Sequence, residues 1–171
     1  GQRRAIELFQ SGDLALAATG AEFLRSIQTN APGVAAVTEP HPPLTGPDGT
    51  ANVALMTLAV PSQSQRREEA VAFAAYLTNA ANQTRFATEA RVLPSSRQAL
   101  VTIRNALEQE QPTTAAEAQI RAARLLSAQT LETARVLVPA LPGIKRLQKI
   151  LYTQLQKAML DQISSDQAVV S

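Results

Sequence analysis

Cysteine is absent from the 171 residues, which excludes disulfides, thiolate zinc sites and a cysteine nucleophile. The absence does not fix the compartment, because disulfide-free proteins occur in cytosol and periplasm alike. The single histidine, His41, excludes a His-rich metal site and any His–His pair. Tryptophan is missing and aromatics make up 4%. The core must then be built from Ala, Leu, Val and Ile, which bury less area each. No apolar run approaches the ~18 residues of a membrane-spanning helix. Phosphate-binding GxxxxGK[ST] and GxGxxG loops do not occur, nor does the GxSxG nucleophile elbow. Lys and Arg exceed Asp and Glu by 16 to 14. That is no dense basic footprint, and no nucleic-acid partner is expected.

What is there has a globular balance, with 45% hydrophobic and 18% charged residues. The length suits one domain or parts of two. Gln2 to Gln10 reads as a helix stopped by Ser11-Gly12. Leu14–Ala18, Val34–Thr38 and Asn52–Val60 read as buried strands. Helices are expected over Ala21–Gln28 and over Gln65–Leu77, the latter capped by Ser64. Asn79 caps a helix over Ala80–Ala90, and another starts near Ser96 and runs through Leu107. A long helix covers Thr114–Leu137, and an amphipathic one covers Ile144–Leu160. Ser164-Ser165-Asp166 caps one more. The proline-rich stretches EPHPPLTGPDG (39–49) and VPALPG (138–143) are loops. The fold class is α/β and helix-rich. Three strands do not make a well-covered sheet, so partner strands from outside this stretch are expected. The chain opens on Gly1 without a signal peptide, as an interior or processed segment would.

Candidate chemistry is sparse. His41 sits between Pro40 and Pro42 and reads as an exposed loop residue. Glu68-Glu69 suit the dipole of a helix start. Arg3-Arg4, Arg66-Arg67 and Lys145-Arg146 read as solvated faces. Catalytic residues, metal ligands and cofactors are therefore not assigned, and an enzyme is not expected. Three polar junctions remain. Thr19-Gly20-Ala21-Glu22 joins a strand to a helix, where open α/β sheets place ligands. Thr50-Ala51-Asn52 precedes the strongest strand, and Pro94-Ser95-Ser96-Arg97 opens a helix.

The order of the segments carries a resemblance. SGDLALAATGAEFLRSI is similar to the G-x-A-A-M-x-x-x-G-x-W block of the extracellular solute-binding proteins of sugar ABC transporters, family 1. GVAAVTEPHPP and GPDGTANVALMTLAV follow in that family's order. EEAVAFAAYLTNAANQTRFATEARVLPSSRQAL resembles its A-x-x-F-x-x-F-L-T-x-x-x-N-Q-x-x-F signature. VPALPGIKRLQKILYTQLQKAML resembles its closing helix.

The resemblance implies the C-terminal half of a two-lobed, type II periplasmic-binding fold. Residues 1–50 and 106–171 would belong to the C-terminal lobe and 61–105 to the N-terminal lobe, with 51–60 crossing the hinge. It implies a carbohydrate ligand held between the lobes, delivery to a membrane permease, a periplasmic or cell-surface location, and a monomer at full length. It implies ligand contacts at Thr19, Gly20, Glu22, Thr50, Asn52 and Arg97. Glu22 stands where the family has a sugar-stacking Trp, and Thr50 to Asn52 where Gly-Gly-Trp is common. Arg91 stands where a Gly is common. With both Trp positions lost, a polyol, glycosylglycerol, disaccharide or glycerol-phosphate ligand is as open as a maltodextrin. Two rivals stand beside this reading: an α/β enzyme fragment, and a detachable helical interaction module over residues 114–163.

Overall fold

The structure, a computed structural model, describes residues 2–138 and 141–170. These fall into two compact units, one ending at Arg135 and the other beginning at Val136. The first holds α1 (Gln2–Gln10), α2 (Phe23–Asn30), α3 (Pro32–Ala36), α4 (Arg67–Leu77), α5 (Ala80–Ala90), α6 (Arg97–Gln109) and α7 (Ala115–Thr133). The second holds α8 (Ile144–Met159) and α9 (Ser165–Val170), which pack on each other.

Helix ends follow local chemistry. Gly12, at φ 82°, ends α1 in the left-handed region, and the Asp13 amide returns to the Leu8 carbonyl at 2.9 Å. Asn79 caps α5, its Oδ1 accepting from the Asn82 amide at 2.8 Å. Ser96 caps α6 through the Ala99 amide. Thr114 and Glu117 form a reciprocal capping box at the start of α7. Ser164 and Gln167 exchange side-chain-to-amide bonds of 3.1 and 2.9 Å before α9.

Apolar packing in the first unit has two centres, and α7 serves both. Phe9, Leu24, Ile27, Ala35, Ile120 and Ala123 form one, drawn from α1, α2, α3 and α7. Phe23 closes on Phe9 edge to face, with centroids 6.4 Å apart. Ala87, Ile103 and Leu107 form the other between α5 and α6, with Leu125 of α7 against it. Arg121 of α7 ties these helices by polar bonds, its Nε donating to the Leu107 carbonyl at 2.6 Å and its Nη2 to that of Glu108 at 2.9 Å. A cation there also meets the negative end of the α6 dipole.

Several expectations are corrected. No β-strand is present among the described residues, so the sheet of an α/β fold is not seen in them. Val34–Thr38 is not a strand: Pro32 occupies the first turn of α3, where its fixed φ suits a helix. The amides of Val37 and Thr38 then turn back onto the carbonyls of Val34 and Ala35. Leu14–Ala18 and Asn52–Val60 run without ladder partners, apart from one parallel bridge between Asn52 and Arg135. A strand exists only where a neighbour takes its amides; Val53 donates to the Arg135 carbonyl, and 54–60 lies in no ladder among the described residues. Far from being buried on both faces, Met56 is 85% and Leu58 58% exposed.

Helix boundaries also move. α4 starts at Arg67 with no side-chain cap, because Ser64 bonds the Arg66 amide and sits too early. The long helix stops at Thr133 instead of reaching Leu137, since Arg135 turns outward to the Asn52 bridge. A detachable module over 114–163 is excluded in that form, because α7 packs on α2 and α6 within the first unit. The loop expected over Val138–Gly143 includes residues 139 and 140, which lie outside the described residues.

Candidate functional site

The expected junction at Thr19-Gly20-Ala21-Glu22 is a tight turn into α2. The amides of Phe23 and Leu24 donate to the carbonyls of Gly20 and Ala21 at 3.0 and 3.2 Å. Thr19 lines an apolar groove of about 250 Å³ with Ile6, Leu14, Leu16 and Phe23. Glu22 faces elsewhere, into a cluster of cations. Its Oε2 lies 3.5 Å from Arg25 Nε and 3.7 Å from Arg91 Nη1. Its Oε1 lies 3.9 Å from Arg124 Nε and is buried without a hydrogen bond.

Each cation arrives for its own reason. Arg25 is one helical turn beyond Glu22, the spacing that lets side chains meet on one face. Arg91 is the residue after α5 and adopts φ 55°, ψ 39°. That left-handed geometry favours glycine, which gives a physical reason for the Gly expected at this position. Arg124 sits on α7 one turn beyond Ile120, where it reaches α2's start while also lining an open groove of about 370 Å³. Thr88, Ile103, Leu107 and Gln109 line the same groove.

The other expected positions stand apart from this cluster. Ala51 is buried, and the Arg135 amide donates to its carbonyl at 2.9 Å while the Val53 amide donates to the Arg135 carbonyl at 3.0 Å. Thr50 and Asn52 flank that crossing. Arg97 is the exposed first residue of α6. Of the expected residues, then, Glu22 alone enters the ion cluster, joined by Arg91. Arg25 and Arg124 were missed. The i,i+3 spacing of Glu22 and Arg25 is a local signal that could have found the first; no local signal marks Arg124.

The described residues hold no group of three or more His, Cys, Asp or Glu placed for a metal ion. None of the described helices is long and apolar enough to cross a membrane. What the cluster offers chemically is charge: three guanidiniums against one carboxylate.

Solved structures and a family model place these features in context. A protein of Synechococcus sp. MITs9220, described as a "putative oligosaccharide periplasmic-binding protein", is 77% identical over 99% of this chain, with a TM-score of 0.88. A second structure of that description, in complex with zinc, is 77% identical over the same share at a TM-score of 0.87. The present chain spans 43% and 42% of those two chains, less than half of their length. No curated protein matches it. Residues 1–117 match the model of the bacterial extracellular solute-binding proteins. Since that match covers well over half of the sequence, the chain belongs to the bacterial extracellular solute-binding proteins.

Proposed function

We propose that these 171 residues form part of the substrate-binding component of a carbohydrate ABC transporter. The observation that carries this is the 77% identity and 0.88 TM-score to a structure whose description names an oligosaccharide-binding protein. The role is capture outside the cytoplasm, without chemistry on the ligand. A ligand that prefers the closed arrangement of two lobes shifts the population toward it. A membrane permease then receives the loaded protein. Thr19, Gly20, Glu22, Thr50, Asn52 and Arg97 are the proposed ligand contacts, with 51–60 as the hinge crossing between residues 1–50 and 61–105, and 106–171 returning to the first lobe.

The α/β architecture belongs to the same proposal. Segment 53–60 (VALMTLAV) holds Leu55, Met56 and Leu58 in the open. Covering each such side chain is worth about 1.5–3 kcal/mol. Its amides also need acceptors before it can be buried. Both needs are met if strands of the longer protein pair with it, and the solved relatives are more than twice as long as this chain.

The test is thermal unfolding of the full-length protein against disaccharides, polyols and glycerol phosphates. A ligand bound by the native state alone raises Tm by mass action. A rise with one of these classes is the expected result. A protein that melts cooperatively at one temperature with every member overturns the carbohydrate assignment.

A further inference from the structure

We propose that the captured solute carries an anionic group, a carboxylate or phosphate, and that Arg25, Arg91 and Arg124 around Glu22 are its docking point. The inference rests on the solute-binding reading and narrows its ligand class.

The cluster is rich in guanidiniums and loosely paired. Three guanidiniums from α2, the end of α5 and α7 converge on one carboxylate at 3.5, 3.7 and 3.9 Å. A charge-assisted hydrogen bond closes to about 2.7–2.9 Å, so none of the three contacts is a formed bond of that kind. Within 4 Å the three guanidiniums share the one Glu22 carboxylate. Glu117 acts on Arg25 through space while its own bonds go to Thr113 and Thr114, and Glu110 lines the groove beside Arg124. Three forked donors with one shared acceptor suit a second anion, which guanidinium planes grip in bidentate fashion.

Two further observations point the same way. Arg91 keeps a left-handed backbone that a glycine would adopt without cost. A left-handed non-glycine residue persists where the surrounding structure holds it. Arg124 opens onto the groove of about 370 Å³ flanked by Thr88 and Gln109. The two polar side chains stand where they can meet hydroxyls on the uncharged part of the ligand.

Titration calorimetry on the full-length protein tests this with glucose, glucuronate, glucose 6-phosphate and inorganic phosphate, at low and high salt. The anionic sugars are expected to bind at least about tenfold more tightly than glucose, as charged hydrogen bonds warrant, and to weaken with salt. Phosphate alone separates headgroup recognition from recognition of the whole solute. Arg91→Gly suits the backbone and deletes one cation; it should weaken the anionic sugars about tenfold more than it weakens glucose. Glu22→Gln removes the internal competitor and should tighten them several-fold.

Glucose bound as well as its anionic forms, or anion affinities untouched by both variants, would overturn the docking point while keeping the solute-binding reading. A lower Tm in both variants with unaltered anion affinity would make the cluster a structural tie, which also overturns it. No binding of any of the four probes would overturn the docking point, and the carbohydrate reading would then stand or fall on the melting panel of disaccharides, polyols and glycerol phosphates.

Discussion

Gln119 and Ala35 are joined by a side-chain bond, the Gln119 Nε2 donating to the Ala35 carbonyl at 2.9 Å. The same nitrogen donates to the Thr38 carbonyl, and Oε1 accepts from Gln28 Nε2 at 3.0 Å. One amide thereby pins α3 and the end of α2 to α7. Gln119→Leu takes this donor from the half-buried Thr38 carbonyl, leaves Ala35's with the Thr38 amide alone, and should cost about 1–3 kcal/mol. Gln119→Glu keeps the acceptor but loses the donor, so it should be no better. Urea midpoints of the two variants check this; a midpoint unchanged in both would remove the pin from the account of stability.

The start of α7 predicts a cap effect and a pH dependence. Thr114→Ala removes the hydroxyl that accepts the Glu117 amide and should cost about 0.5–2 kcal/mol. The Glu117 carboxyl is held below the usual carboxylate range, first by the Thr113 hydroxyl, then by the Thr113 and Thr114 amides, with Arg25 adding a smaller pull and burial opposing them. A lowered folded-state pKa gives stability that is fully present above the unfolded value and is lost as pH falls through the folded one. Wild type and Glu117→Gln should therefore differ at neutral pH and converge in strong acid. Denaturant midpoints across a pH series read the difference, and a constant gap down to strong acid would contradict it.

Burial sets a third contrast. Ile27, 2% exposed between α2 and α7, should lose about 2–5 kcal/mol on Ile27→Ala. Leu44, 99% exposed in the proline loop, should stay within about 0.5 kcal/mol on Leu44→Ala. Equal losses would mean that Leu44 is covered in the protein tested.

Arg91→Gly should be nearly neutral for stability. It deletes one exposed ion pair worth about 0–1 kcal/mol and relieves a left-handed side-chain residue worth about 1 kcal/mol or more. A Tm within a few degrees of wild type is expected. A collapse of Tm would show that Arg91 holds the fold through its side chain.

Local chemistry was largely legible in advance. Asn79 and Ser164 cap helices where they were expected to, and a helix starts next to Ser96 as expected, because a cap needs only an amide three residues on. The stop at Gly12 and the run of α8 followed from the same short-range rules. Val34–Thr38 departs from the expected strand for a local reason: Pro32 starts helices as readily as it ends strands.

The family membership was written in the order of motifs along the chain, since each motif is contiguous and survives without its surroundings. What only the tertiary structure decided is which distant groups meet. Glu22, Arg91 and Arg124 come from α2's start, α5's end and α7, and their contact depends on how those helices pack. The bridge of Asn52 to Arg135 is likewise a product of packing. The sequence determined most helix starts and stops, because capping and periodicity act within one turn, while the end of α7 is set by the distant Asn52–Arg135 bridge. Strand pairing and the charge cluster require partners far along the chain, and the position of such partners is fixed by the folded backbone alone.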